Sequence, residues 1–144
     1  MEKEYIDLCL PSGTLWAETN ENEYYNWNRA RKKFGDQLPT KKQFRELLDR
    51  CTWTWDSDRK GFLVTGRNGN SIFFPAAGER GTLFGKPNGR IYYCGKLGRY
   101  VSSSYHGFIF RCRGSCLVFV KFFINVYGRC NKYGESLSVR LVKI

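Results

Sequence analysis

The sequence predicts an α+β fold: two helices packed on small antiparallel sheets, joined by long irregular loops, with the N- and C-terminal strands paired. Three observations carry this. Two neighbouring stretches in the first third repeat apolar residues at helical spacing and have start and stop signals. Short period-two runs separated by Gly, Asn and Asp turns follow them, the mark of antiparallel hairpins. Both ends of the chain alternate along their length, as strands with one buried face do. With 144 residues there is room for one domain with a real core and too little for two of ordinary size, so residues 1–144 are expected to form a single domain.

Residues 4–18, EYIDLCLPSGTLWAE, set Tyr5, Asp7 and Cys9 against Ile6, Leu8 and Leu10, then turn at Pro11-Ser12-Gly13 into a second short apolar piece. That reads as strand, turn, strand. In NWNRARKKFG (26–35), Trp27, Ala30 and Phe34 recur at helical spacing and Gly35 stops the run, which predicts a short amphipathic helix. LPTKKQFRELLDRC (38–51) is the clearest helix: Thr40 is an N-cap, Gln43 completes a capping box, and Phe44, Leu47, Leu48 and Cys51 form the apolar stripe. Beyond it, Trp53 and Trp55 share one face of a strand, DSDRKG turns, FLVTG returns, RNGN marks a hairpin and SIFF is another strand before Pro75. From Gly78 to Gly98 glycines recur with no apolar periodicity beyond IYYC, which predicts a long irregular loop resting on the core. The final LSVRLVKI (137–144) alternates Leu137, Val139 and Leu141 with Ser138, Arg140 and Val142, a strand expected beside the N-terminal one.

Composition removes several functions. Aromatic residues at 17% and apolar residues at 42% exclude a disordered polar chain. No apolar run approaches the ~20 residues of a membrane helix, so membrane insertion is not expected, and Met1-Glu2-Lys3-Glu4-Tyr5 lacks the basic-then-apolar pattern of a signal peptide. The net charge of +11 raises anionic partners, but the cations are scattered and no nucleic-acid motif accompanies them, so nucleic acid is not expected. The six cysteines include no CxxC pair, and with His106 the only histidine a zinc site would need thiolates at irregular spacing. Free thiols are expected, with disulfides as the alternative if the protein is exposed outside a cell, and no metal and no cofactor. His106 is also the one imidazole open to a Ser/His/Asp or Cys/His arrangement, and its neighbours Tyr105, Gly107 and Phe108 supply no orienting carboxylate. Ser102, Ser103 and Ser104 read as hydrogen-bonding scaffold, and GKPNGR and GRNGN lack the strand-to-helix context of a phosphate cradle. An enzyme is not expected.

Residues 105–131, YHGFIFRCRGSCLVFVKFFINVYGRCN, have an odd vocabulary. Lys, Glu, Gln, Trp and Met occur 19 times in residues 1–60 and once, at Lys121, in these 27 positions, where about eight would be expected at the same rate. Those five amino acids share one genetic property: none has a codon ending in a pyrimidine. Randomising the first two bases of AAY asparagine codons would leave the set that is present. A buried hairpin would also avoid Lys and Glu, and it accounts for LVFV and INV. It does not account for Arg111, Arg113, Arg129 and His106, because a core rejects unpaired charge. VKFF (120–123) lacks turn formers, yet a single strand from Leu117 to Tyr127 would be about twice the mean length. A hairpin with Phe122 and Phe123 exposed is the preferred reading.

YIDLCLPSGTLWAETN, LPTKKQFRELLDRCTWTW, GFLVTGRNGNSIFFPAAGER, GRYVSSSY and SLSVRLV, in order along nearly the whole chain, closely resemble the Fibrobacter succinogenes major paralogous domain family of Bacteroidetes. That family belongs with the formylglycine-generating-enzyme-like branch of the C-type lectin fold. The resemblance implies a C-type lectin-like domain of the kind that serves as variable protein of a diversity-generating retroelement. In such systems an error-prone reverse transcriptase rewrites adenines in a C-terminal variable region, here residues 92–133, and the protein presents the altered side chains as a binding surface. The family's WSSS is matched by Val101-Ser102-Ser103-Ser104, with Val in place of Trp. Leu117, Phe119, Ile124 and Val126 match inward strand positions, and Ser138-Val139-Arg140 matches the closing SVR. The positions expected to be diversified and solvent-facing are Tyr105, His106, Phe108, Phe110, Arg111, Cys112, Arg113, Phe122, Phe123, Tyr127 and Cys130. No match exists for the catalytic cysteines of the formylglycine-generating enzymes or for calcium-lectin motifs such as EPN, so the fold implies neither activity. The implied function is ligand display on a virion tail tip or a cell surface, toward a protein or glycan on a cell surface. The alternatives are a non-diversified carbohydrate-binding domain, and an enzyme on the same fold using Cys112, Cys116 or His106.

Overall fold

A computed structural model describes residues 3–83, 86–107 and 112–144. Strands β1 (Tyr5–Asp7) and β2 (Leu15–Ala17) pair antiparallel across the Pro11–Gly13 turn, where Gly13 adopts φ +78° and donates to the Leu10 carbonyl at 3.0 Å. Helix α1 (Trp27–Phe34) starts at Asn26, whose side chain accepts the Arg29 N–H, and ends at Gly35; Trp27, Ala30 and Phe34 are its buried face. A 3-10 turn (Gly35–Gln37) leads to α2 (Lys41–Arg50), which carries both halves of the Thr40–Gln43 capping box. Phe44 and Leu47 are buried, while Leu48 and Cys51 pack half-buried against the same cluster.

Strands β3 (Thr52–Asp56), β4 (Gly61–Thr65) and β5 (Ser71–Pro75) form an antiparallel sheet in that order, and Trp53 and Trp55 both pack edge-on against Phe62. The Gly78–Gly98 stretch is not an irregular loop. Strands β6 (Glu79–Leu83) and β7 (Lys86–Tyr92) pair as an antiparallel two-stranded sheet with a register shift between Arg80 and Thr82. Ile91 and Tyr92 stay exposed, so the apolar end of β7 offers no buried face for a period-two pattern to reveal. Strands β8 (Gly98–Tyr105), β9 (Arg113–Val120) and β10 (Phe123–Asn131) form the third antiparallel sheet, in the order β10-β9-β8.

Strand β11 (Val142–Lys143) pairs with β2, which therefore lies between the two terminal strands in a β1-β2-β11 sheet; direct pairing of β1 with the C-terminal strand is corrected. The expected strand from Leu137 is also shorter. Residues 136–142 are buried without alternation, and their backbone bonds go to several elements: the Leu141 carbonyl accepts from Ala17, the Val139 carbonyl from Glu21, and the Ser138 carbonyl from Val101. The buried backbone groups of this segment are thus paired, but with several partners in turn rather than along one ladder. The overall architecture is mixed α/β, with two α-helices and several small antiparallel sheets among the described residues and no barrel. No helix among them is long and apolar enough to cross a membrane.

Two clusters make the core. Trp16, Phe44, Phe74, Tyr100, Leu117 and Phe119 anchor one; Trp27, Phe34, Val101, Cys116, Leu137 and Val139 anchor the other. Strand β9 lies between them, sending Leu117 and Phe119 to the first and Cys116 to the second. Arg140 is 1% exposed and ties the closing segment to the rest: its guanidinium donates to Asn20 Oδ1 (2.8 Å), the Ala17 carbonyl (3.3 Å) and the Phe73 carbonyl, and lies 4.4 Å from the Phe74 ring centroid. Burial pulls its pKa down to about 10, which leaves it charged at neutral pH.

Candidate binding surface

The β9–β10 hairpin turns at Lys121-Phe122, and its tip carries Phe122 at 90% and Phe123 at 61% exposure. Just behind the tip, Leu117 and Phe119 are completely buried, Val126 is 3% exposed, and Ile124 packs half-buried on the core. At this end of the hairpin Leu117, Phe119 and Val126 thus lie inward and Phe122 and Phe123 outward. Between Asn125 and Gly128 the register shifts, leaving Val126 and Tyr127 without partners on β9. Such an irregularity re-aims side chains. Val126 enters the core, while Tyr127 stays half-exposed against α2, its N–H donating to Asn125 Oδ1 at 2.8 Å. Arg45 of α2 donates to the Tyr127 hydroxyl, and the Lys41 ammonium lies 5.8 Å from the ring centroid.

The other end of the sheet abuts α1. Tyr105 pairs with Gly114 on β9, and the His106 N–H donates to the Arg113 carbonyl at 2.9 Å. The Tyr105 ring packs on Trp27 at 5.1 Å, with the Arg31 guanidinium 4.6 Å from Trp27 and 5.0 Å from Tyr105, and the Lys132 ammonium 4.9 Å from Tyr105. Gly114 permits this approach, because a Cβ there would sit 2.3 Å from the indole. Tyr105 and His106 are half-buried, whereas Cys112 and Arg113 are exposed. Phe108, Phe110 and Arg111 lie outside the described residues. Six residues of β9 separate the Tyr105–Gly114 pair from the Val120–Phe123 pair, so the two ends are about 20 Å apart at the usual strand rise. Among the described residues, Tyr105, His106, Cys112 and Arg113 therefore lie at one end of the sheet, Phe122 and Phe123 at the other, and Tyr127 between them.

Cys130 is a correction. It is 3% exposed and does not face solvent, because after the register shift Gly128 and Cys130 point inward and Tyr127 and Arg129 outward. Its thiol is hydrogen-bonded to that of Cys116, itself fully buried. This bond raises the pKa of Cys130, and burial raises it further. The same bond lowers Cys116, helped by the Arg99 guanidinium 3.8 Å from its sulfur and opposed by burial. Arg99 is held by ion pairs to Glu79 (2.8 Å) and Glu135 (3.1 Å). The remaining thiols divide by exposure: Cys9, Cys94 and Cys112 are exposed, and Cys51 is half-buried with its thiol pushed up to about 11, mainly by burial. Native alkylation with iodoacetamide near pH 8, read by peptide mass spectrometry, should label Cys9, Cys94 and Cys112 and spare Cys116 and Cys130 until the chain is unfolded.

The three serines act as scaffold. Ser102 and Ser115 share a buried hydroxyl–hydroxyl bond, the Ser103 N–H donates to the Pro39 carbonyl at 2.8 Å, and Ser104 Oγ accepts the Lys41 N–H at 3.0 Å. The cations beside the surface, Arg31, Lys41, Lys42, Arg45 and Lys132, carried no sequence signal. Arg45 meets Tyr127 across 82 residues, an adjacency only the fold creates. Among the described residues no group of three or more His, Cys, Asp or Glu side chains could hold a metal ion. No protein-family model, curated protein or solved structure matches the chain.

Proposed function

We propose that this chain is a ligand-binding display protein on a C-type lectin-like fold, whose exposed side chains in the 105–131 segment are rewritten by a diversity-generating retroelement. One observation carries the reading. The segment with a pyrimidine-ending codon signature also splits by burial, with Phe122, Phe123, Tyr127, Cys112 and Arg113 outside and Leu117, Phe119 and Val126 inside. Aromatic and Arg side chains are the types that dominate binding hot spots, and here they stand on strands locked from behind. The affinity of such a surface can change without loss of the core. The role is receptor recognition at a phage tail tip or adhesion at a bacterial surface, with a protein or glycan of a cell surface as ligand.

A library with NNY codons at His106, Cys112, Arg113, Phe122, Phe123 and Tyr127 tests this directly. Exposed positions usually change stability by no more than about 0.5 kcal/mol each, so most members should melt cooperatively, within roughly 5–10 °C of the parent. Panning on an immobilised folded protein such as lysozyme should then enrich binders with altered residues at these positions. A library that is mostly unfolded would sink the reading.

A further inference from the structure

The pocket between α2 and β10 has a volume of about 410 Å³ and is lined by Thr40, Lys41, Lys42, Arg45, Ser104 and Tyr127. Its charge is one-sided. Arg45 is paired with Asp49 at 3.0 Å, but Lys41 and Lys42 form no ion pair among the described residues, and Glu46 of the same helix is turned away onto Ser12. Two of the first-turn N–H groups are already occupied, since Thr40 Oγ1 accepts from Gln43 and Ser104 Oγ accepts from Lys41. An anion here would be held by side chains, with no help from the helix terminus.

We propose that this pocket is a subsite for an acidic sugar, whose carboxylate or sulfate is held by Lys41, Lys42 and Arg45 while its ring lies against Tyr127. The volume exceeds what a lone carboxylate fills and admits one pyranose ring. Thr40 and Ser104 use their oxygens as acceptors, so both hydroxyl protons remain available to sugar oxygens. A peptide strand fits less well. The β10 edge is broken by the shift between Asn125 and Gly128, and the Arg129 carbonyl is taken by Arg99 at 2.8 Å, so no continuous ladder is open for strand addition. The inference rests on the display reading, because Tyr127 belongs to the diversified surface. It adds a consequence: Lys41, Lys42 and Arg45 lie outside the codon-biased segment. A repertoire that exchanges the wall but keeps the cations samples ligands within one charge class.

The test is calorimetric titration at about 0.15 M ionic strength with a heparin-derived hexasaccharide, trigalacturonate, neutral maltohexaose and hexaglutamate. At least one acidic oligosaccharide should bind and maltohexaose should not. Lys41→Gln/Lys42→Gln should weaken that binding about tenfold or more, while Arg67→Gln/Lys96→Gln, which removes the same charge from exposed positions elsewhere, should change it less than about twofold. Equal weakening by both pairs would reduce the effect to net charge and overturn the subsite. So would failure of both acidic sugars to bind, or hexaglutamate binding as tightly through the same lysines. Failure of the display reading would show separately, as invariant codons for Tyr127 and Phe122 among isolates, with the lysine-dependent sugar binding intact.

Discussion

Arg140→Ala should lower the free energy of unfolding by about 2–4 kcal/mol, and the melting temperature by roughly 5 °C or more. Arg140 is fully buried and donates to three acceptors from two parts of the chain: Asn20 Oδ1 and the Ala17 carbonyl in one, the Phe73 carbonyl in the other. Removing it takes the donor from all three acceptors, and from the buried Ala17 carbonyl at a cost above the net worth of the bond itself. It also frees Asn20, whose side-chain amide donates to the Tyr100 hydroxyl at 3.0 Å, while that hydroxyl donates to the Pro75 carbonyl at 2.7 Å. Arg140→Lys should recover only part of the loss, because an ammonium cannot reproduce the planar fork that reaches three acceptors. Differential scanning calorimetry of the three proteins checks the order wild type, Lys, Ala. An Ala variant as stable as the parent would mean that Arg140 does not hold the closing segment.

Phe119→Ala and Phe122→Ala should differ widely although only three residues separate them. Phe119 is fully buried, packs against Phe62 at 5.2 Å and stacks on Tyr100 at 6.0 Å, so its truncation should cost about 3–5 kcal/mol. Phe122 is 90% exposed, with the Lys121 ammonium 5.3 Å from its ring centroid. Its truncation should leave urea-unfolding stability within about 0.5 kcal/mol of the parent. Similar costs at the two positions would erase the distinction between scaffold and displayed residue.

Legibility followed the range of the interactions. Both helices were readable because their signals are local: the Thr40–Gln43 capping box, the Gly35 stop and the apolar spacing of Trp27, Ala30 and Phe34. The β9–β10 hairpin was readable despite a turn with no turn-forming residue, because one strand from Leu117 to Tyr127 would be about twice the usual length. The β6–β7 hairpin was not, since the apolar end of β7 is exposed and offers no buried face to leave a pattern. The place of β11 beside β2 depends on side chains such as Arg140 meeting residues more than a hundred positions earlier. Cys130 was misread for a related reason. Composition marks its codon type, but the bulge after Asn125 decides which way each β10 residue points, and no local residue announces that bulge.

The central claim is that two layers coexist in one segment, and sequencing this gene with its flanking locus across many isolates tests it most directly. The account predicts a neighbouring reverse transcriptase and a near-identical template repeat. It predicts adenine-specific substitutions at the codons of residues such as Cys112, Arg113, Phe122, Phe123 and Tyr127, with Leu117, Phe119, Val126, Cys116 and Cys130 unchanged. No adenine-specific variation, or variation falling equally on the buried positions, would contradict it.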